Sequence, residues 1–269
     1  MARYGVPYEG SKNSIAKWVV ETLPPGERLV DLFAGGCAVT HCAMLSGKWE
    51  EFLVNDINNT PQLFLDAIHG KLRDRTEWIS REWFFLLKDS DPFVRQCWSF
   101  GNGGNSYLYS RDLEAYKEAV HMELTAQTLH ERYIWHRKAV REGVELVNKL
   151  SLQSLQSLES LQRLQSLERL ESLHSLESLQ SDYRDVPLRD GDIVYCDIPY
   201  RGTGAEYVTG FDHEAFYAWC VTQTVPVYIS EYEMPNDRFE IVAETERCGH
   251  LSSTNNANRK TERIYRVRK

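Results

Sequence analysis

The chain lacks any apolar run approaching the ~20 residues of a membrane-spanning helix, and Met1-Ala2-Arg3-Tyr4 does not lead into the apolar core of a signal peptide. A cytoplasmic protein with no membrane partner is therefore expected. Cysteine is sparse and scattered. Cys37, Cys42, Cys97, Cys196, Cys220 and Cys248 form no Cys-x-x-Cys pair and match no histidine spacing, which argues against a structural zinc and against a disulfide framework. Buried free thiols are the expectation, with Cys196 a strand residue facing the core, and no metal is implied. Positive charge is also short: Lys and Arg total 31 against 39 Asp and Glu, a net charge of −8. A protein that binds nucleic acid wants cations on one face, so any such contact here must come from a local patch.

What is present suits a globular protein of one or two domains, with 269 residues, 42% hydrophobic and 26% charged. The stretch around which the rest is organised is Val194-Tyr195-Cys196-Asp197-Ile198-Pro199-Tyr200. An apolar run of strand type ends in an acid, a proline sets the turn, and an aromatic follows. In open α/β sheets ligands bind beyond the carboxyl ends of strands, which is where this stop falls. Its residue types match one task. The exocyclic amino group of a nucleobase has its lone pair drawn into the ring and becomes nucleophilic when acceptors hold its hydrogens. Asp197 offers one acceptor and the backbone carbonyl of Ile198 another. Pro199, with its fixed φ and no N–H, helps hold that carbonyl outward, and Tyr200 offers a face for a flipped base. The plain alternative is a strand end followed by a turn.

Upstream, Tyr8-Glu9-Gly10-Ser11-Lys12 precedes a helical pattern at Ile15, Trp18, Val19 and Leu23, with Ser11 or Asn13 as cap and Pro24-Pro25-Gly26 as stop. A Gly-Ser turn there would bring Lys12 and Tyr8 against an anionic or zwitterionic ligand. Arg28-Leu29-Val30-Asp31-Leu32-Phe33-Ala34-Gly35-Gly36 then reads as a strand, a glycine turn holding Phe33 and Gly35, and the start of a helix reaching about Lys48. Asp31 would repel a pyrophosphate but can reach an amino group, directly or through water. A second strand ends at Asn55-Asp56-Ile57-Asn58. An acid there, 25 residues after Asp31, suits both hydroxyls of a ribose, although Asp56 and Asn58 could instead cap the next helix.

Helices are expected over 61–72 and 77–88, with Trp78, Trp83, Phe84 and Phe85 mostly core, and a third strand over 94–100 closing in a Gly/Asn loop. From about 107 the composition changes. Residues 113–150 are helical in pattern, and Tyr109, Arg111, Arg137 and Lys138, with Arg259 and Lys260 at the tip of the closing hairpin, are candidate basic and aromatic residues for DNA contacts, the alternative being a solvated surface. Next, Leu recurs every third residue from Leu152 to Leu179. On an α-helix that stripe drifts by about 60° per repeat, so one straight helix cannot bury every leucine on one partner. A wound helix, several short helical turns or a small solenoid would each relieve this, and no chemistry is expected of the tract. After Tyr200 a Gly-rich stretch over 201–207 could fold over a bound base. Beyond it come a helix over 212–220, a buried strand over 225–230 and a closing hairpin of 239–243 with 263–267.

Taken in order, Tyr8–Lys12, Asp-Leu-Phe-Ala-Gly-Gly at 31–36, Asn-Asp-Ile-Asn at 55–58 and Asp-Ile-Pro-Tyr at 197–200 resemble the motifs of the adenine-specific DNA methyltransferases of the DNA adenine methylase family, which includes many phage enzymes. Ile198 stands where many relatives have proline. The resemblance implies an α/β fold: a Rossmann-like S-adenosylmethionine-dependent methyltransferase sheet, mostly parallel with a closing antiparallel hairpin, plus a mainly helical target-recognition insert. It places the catalytic domain at 1–102 and 183–269 and the insert at 103–182, including the Leu-x-x tract at 151–181. It implies S-adenosylmethionine at Tyr8, Lys12, Asp31, Phe33, Gly35, Asp56 and Asp197, a flipped adenine at Asp197, Ile198, Pro199 and Tyr200, and double-stranded DNA as partner. A cognate restriction nuclease is not required. Rival readings are a cytosine amino-methyltransferase, a silent relative that binds cofactor or DNA, and a dinucleotide oxidoreductase, which would leave 197–200 unexplained.

Overall fold

Short runs rich in Val, Ile, Leu and Tyr form the strands, and Gly, Pro and Asn break them, as β propensity and turn chemistry require. The computed structural model describes residues 3–146, 156–170, 175–201, 210–248 and 259–268. In chain order the elements are α1 (Ala16–Thr22), β1 (Arg28–Asp31), α2 (Ala38–Met44), β2 (Glu51–Asp56), α3 (Thr60–Ile68), α4 (Arg81–Leu87), α5 (Pro92–Cys97), α6 (Arg111–Thr125), α7 (Leu129–Leu146), α8 (Gln156–Gln165), β3 (Ser175–Gln180), β4 (Asp192–Asp197), α9 (His213–Thr222), β5 (Val227–Glu231), β6 (Phe239–Cys248) and β7 (Arg259–Val267).

The seven strands make one sheet in the order β3-β2-β1-β4-β5-β7-β6. Strands β1 to β5 run parallel, and β7 turns antiparallel to both β5 and β6. From β1 the chain steps outward to β2 and β3, then returns to the other side of β1 with β4. The strand order therefore reverses between β1 and β4, and the crevice for a ligand in such a sheet opens beyond their carboxyl ends. Those ends are Asp31 and Asp197, on strands paired Asp31 to Tyr195.

Alternation along the strands decides what each face carries. Val30, Leu32, Val194, Cys196, Ile198, Val227 and Ile229 share one buried cluster with Phe216, Tyr217 and Cys220 of α9. Asp31, Tyr195 and Asp197 alternate with them. Cys196 is fully buried, and the five cysteines whose side chains are described are all free and buried. Asn55 stitches the parallel strands at their carboxyl ends. Its amide donates to the carbonyls of Leu32 (3.2 Å) and Ser181 (3.1 Å), and its oxygen accepts from the N–H (3.1 Å) and hydroxyl (3.0 Å) of Ser181.

Two compact units result: 1–5, 12–62 and 172–269 around the sheet, and 6–11 with 63–171, which is helical. The helical unit therefore begins some forty residues before the insert expected at 103–182. One cause is that 94–100 is not a strand. Asp91 caps α5, accepting from the N–H groups of Phe93 (2.9 Å) and Val94 (3.4 Å), and Pro92 occupies the first turn, where its missing N–H costs nothing. The strand beside β2 comes instead from the Leu-x-x tract. Residues 156–170 form α8 and a 3₁₀ turn (Glu168–Leu170) that buries Leu161, Leu164, Leu167 and Leu170, whereas 175–180 form the edge strand β3. The hexapeptide Ser-Leu-Glu-Ser-Leu-Gln occurs twice, at 157–162 inside α8 and at 175–180 as β3. The drift of a three-residue period round a helix explains the break: the tract changes structure rather than winding on.

Smaller departures have local reasons. No Ser11 or Asn13 side chain caps α1, whose N-cap is Ile15. The glycine-turn helix stops at Met44, and the described part of 113–150 divides into α6 and α7. Phe84 is buried as expected and Trp78 half-buried, but Trp83 and Phe85 are about half exposed. Among the described residues no helix is long and apolar enough to cross a membrane.

The sheet is locked at the amino-terminal ends of β1 and β4 by a buried ion pair. Arg28 donates from Nε and Nη2 to the two oxygens of Asp192, each at 2.8 Å, and from Nη2 to the Pro187 carbonyl. Asp192→Ala would leave that guanidinium buried and unpaired, so urea denaturation should show a loss of about 3–5 kcal/mol; Asp192→Asn, which keeps an acceptor, should lose less.

Candidate active site

Acids gather at the carboxyl ends of β1, β2, β4 and β5, and burial sets their state. Asp31 is 2% exposed. Thr40 of α2 donates its hydroxyl to Oδ2 at 2.7 Å, while Oδ1 is buried with no hydrogen-bond partner. Desolvation pushes this carboxyl up to about 7, with the charges of Asp197 and Asp56 adding to the rise. Asp56 accepts from Gly35 N–H at 2.9 Å through Oδ2 and from the N–H (2.9 Å) and amide (3.3 Å) of Asn58 through Oδ1. It thus ties the end of β2 to the glycine turn, and Asn58 serves Asp56. The turn itself needs unusual backbone: Gly35 lies at φ 47° and Cys37 at φ 56°, both left-handed. Gly5, at φ 67°, lies so close to the turn that a Cβ there would fall 2.0 Å from the Gly36 carbonyl oxygen. Its N–H donates to His41 Nδ1 at 2.9 Å. Phe33 packs its ring against Tyr183, Phe211 and Phe216, at centroid distances of 5.6–5.8 Å.

At β4, Asp197 and Tyr200 come together with Lys12. The Lys12 ammonium, brought in by the 3₁₀ turn at Lys12–Ser14, lies 2.8 Å from Asp197 Oδ1 and 4.2 Å from the centre of the Tyr200 ring. Ile198 is buried among core side chains, and the Pro199 carbonyl bonds His213 Nε2 at 2.8 Å. Two further acids complete the cluster, and the sequence reading missed both. Glu262 of β7 is fully buried. It accepts the Tyr200 hydroxyl through Oε1, which lies 3.5 Å from Lys12 Nζ. Glu231, at the end of β5, accepts from the N–H groups of Tyr232 (2.7 Å) and Arg201 (3.2 Å), and desolvation pushes it up to about 7. Tyr232 packs edge-on against Tyr200 at 4.5 Å. Burial beside Asp197 and Glu262 raises the Tyr200 phenol well above its ordinary value, so it stays a hydrogen-bond donor. Glu262 had a signal: it shares a strand face with Ile264, an acid on an inward-facing position.

Tyr8, half-buried, belongs to the helical unit. Tyr109 is buried and stacked on Trp78 (5.6 Å, 3°), so its ring is spent on packing rather than offered to a base. Arg111 and Arg137 are exposed. Lys138 donates to Glu118 at 2.8 Å and lies 4.5 Å from the centre of the Trp135 ring. Arg259 and Lys260 fall within β7 rather than on a loop tip. The expected cover over 202–207 lies outside the described residues. The Gly/Asn loop is internally satisfied: Ser99 Oγ accepts from Gly104 N–H (2.9 Å), and Asn102 donates to the Gln96 carbonyl (2.6 Å). Among the described residues no group of three or more His, Cys, Asp or Glu is placed to hold a metal.

The mostly parallel sheet with an antiparallel hairpin at one edge, and acids at the strand ends of its switch point, is a Rossmann-like methyltransferase fold. The chain belongs to the D12 class N6 adenine-specific DNA methyltransferase family, whose model matches residues 8–219. No curated protein matches it. Among solved structures it is similar to a candidate RNA methyltransferase, PH1948 from Pyrococcus horikoshii (11% identity, 96% of this chain and 85% of that one, TM-score 0.42). It is also similar to a candidate methylase, HI0767 from Haemophilus influenzae (12% identity, 95% and 86%, TM-score 0.32).

The buried acids make stability depend on pH. The folded values of Asp31 and Glu231 are raised from 3.8 and 4.5 to about 7. Their contribution is therefore fully present below pH ~4 and lost as pH rises through ~7. Denaturant titrations of the ligand-free protein should show stability falling between pH 5 and 8. Asp31→Asn should flatten that fall, its share being at most about 4 kcal/mol.

Proposed function

We propose that the protein transfers a methyl group from S-adenosylmethionine to the N6 amino group of an adenine flipped out of double-stranded DNA. The observation that carries this reading is Asp197-Ile198-Pro199-Tyr200 at the carboxyl end of β4, beside the switch point, in a chain of this family. The donor, when bound, supplies an electrophilic methyl on a sulfonium sulfur. The chain's residues suit such a ligand. Asp31 keeps a buried acceptor atom unpartnered at the glycine turn, fit for an ammonium. Asp56 accepts the Gly35 N–H and so holds the turn, left-handed at Gly35, against the end of β2. Phe33 supplies an apolar wall.

On the substrate side, Asp197 and the Ile198 carbonyl accept the two amino hydrogens and direct the nitrogen lone pair toward the methyl. Tyr200 stacks the base, and transfer is direct and in line. The nitrogen–methyl bond forms as the sulfur–methyl bond breaks. The proton released from nitrogen leaves by way of Asp197, whose side chain is 20% exposed. Only the carbonyl of Ile198 takes part, and its buried side chain serves the core, which accounts for the tolerance of a residue other than proline there. Arg111, Arg137, Lys138, Arg259 and Lys260 remain the residues proposed for DNA. Their local charge would have to outweigh a net −8.

Incubation with unmethylated genomic DNA and S-adenosylmethionine, followed by nucleoside mass spectrometry and methylation-sensitive sequencing, is expected to give N6-methyladenine at a short recurring motif. Methylcytosine, or no product, would overturn the assignment. Asp197→Ala should lower the rate by at least about a thousandfold, the loss of a transition-state interaction of about 4 kcal/mol. Its far-UV spectrum should be unchanged, and a variant at near-normal rate would remove Asp197 from the chemistry.

A further inference from the structure

Lys12 does here what a target adenine would do under the reaction proposed above, on which this inference rests. Its ammonium donates toward Asp197 at 2.8 Å, as the amino group would, and lies against the Tyr200 ring at 4.2 Å, where the base would stack. Base and lysine cannot hold these positions together. Lys12 is 8% exposed, and a buried ammonium that leaves one carboxylate needs another within reach. Glu262 meets that need. It is fully buried, its Oε1 lies 3.5 Å from Lys12 Nζ, and its Oε2 is buried with no hydrogen-bond partner. Buried polar atoms in folded proteins are nearly always satisfied, so a bare acceptor beside a movable cation marks a place the cation goes.

We propose that Lys12 is a place-holder for the target base, and that Glu262 is the positioning residue that receives its ammonium when the base enters. The shift closes a 3.5 Å separation to hydrogen-bond distance and moves no proton. Asp197 exchanges a charged partner for a neutral amino group, and Glu262, already 3.5 Å from the ammonium at Oε1, exchanges a long ion pair for a close one. Net charge in the buried cluster is unchanged, which keeps the exchange low in cost. Because the Tyr200 hydroxyl donates to the same Glu262, the stacking ring stays fixed while the lysine moves.

The test is steady-state kinetics of wild type, Glu262→Gln and Glu262→Asp, on DNA carrying the motif that sequencing identifies, with S-adenosylmethionine as donor. Glu262→Gln keeps an acceptor for Tyr200 but removes the charge, so Lys12 should stay on Asp197. KM for DNA should rise about tenfold or more, a change of about 1.4 kcal/mol, while kcat and KM for S-adenosylmethionine stay within about threefold. Glu262→Asp, which keeps the charge, should recover most of the loss. A purely structural role would instead lower the melting temperature and move all three constants together. An unchanged KM for DNA in Glu262→Gln, or no recovery in Glu262→Asp, overturns the proposal while leaving the function standing. A wild type that transfers no methyl group overturns both. Should the glutamine variant not fold, a crystal structure of wild type with that DNA decides: Lys12 on Glu262 supports the exchange, and Lys12 still on Asp197 beside a bound base overturns it.

Discussion

The parallel pairing of β1 with β4 is the constraint on which the rest depends. It sets Asp31 opposite Tyr195 and brings two strand ends, distant in sequence, to one crevice. Hydrogen-bonded register leaves no freedom here, because a slip of one residue would turn Asp31 and Asp197 into the apolar face that packs α9. The Arg28–Asp192 pair at the opposite ends of the same two strands guards that register, and Asn55 fastens the neighbouring carboxyl ends of β1, β2 and the residue after β3. The site is therefore a by-product of sheet order: one face carries the core, and the alternate positions carry the acids.

Acids gathered in a low dielectric raise one another's energy, and the structure meets this in different ways at each. Asp56 accepts three hydrogen bonds from Gly35 and Asn58. Glu231 takes two backbone N–H groups. Asp31 has Thr40 and a bare second oxygen, and Asp197 and Glu262 share the reach of Lys12. The acidic balance of the whole chain thus has a local counterpart suited to a ligand bearing positive charge or amino groups. The helical unit balances differently: side chains of α6 and α7 pair, as Glu118 does with Lys138 and Glu123 with His136, which occupies Lys138, one of the basic residues expected to meet DNA.

Within the site, the residues legible in the sequence were those whose type and place both follow from a strand end: Asp31, Asp56, Asp197 and Tyr200. Lys12 was expected to face a ligand, but its contact with Asp197 was not legible, since nothing in a linear chain relates positions 12 and 197. Glu231 and Glu262 were missed because each looks like an ordinary acid on a strand until β5 and β7 are paired and set beside β4. The third strand was misread for a different reason. Val94, Cys97, Trp98 and Phe100 suit a strand as well as a helix, and the Asp91-Pro92 start that favours a helix was the deciding local signal.

The sequence by itself determined the element types wherever capping, turns and apolar periodicity agree, the motif order, and the acids at strand ends, because these are local properties of backbone and side chain. Only the tertiary structure decided the sheet order, the partners of Lys12 and the fate of the repeat. Ser-Leu-Glu-Ser-Leu-Gln at 157–162 is helical, with Leu161 buried in the helical unit. The same six residues at 175–180 are a strand because β2 presents an unpaired edge to them. Local propensity is identical in the two copies. What differs is the surface each can bury and the backbone groups each must satisfy, and those exist only once the rest of the chain has folded.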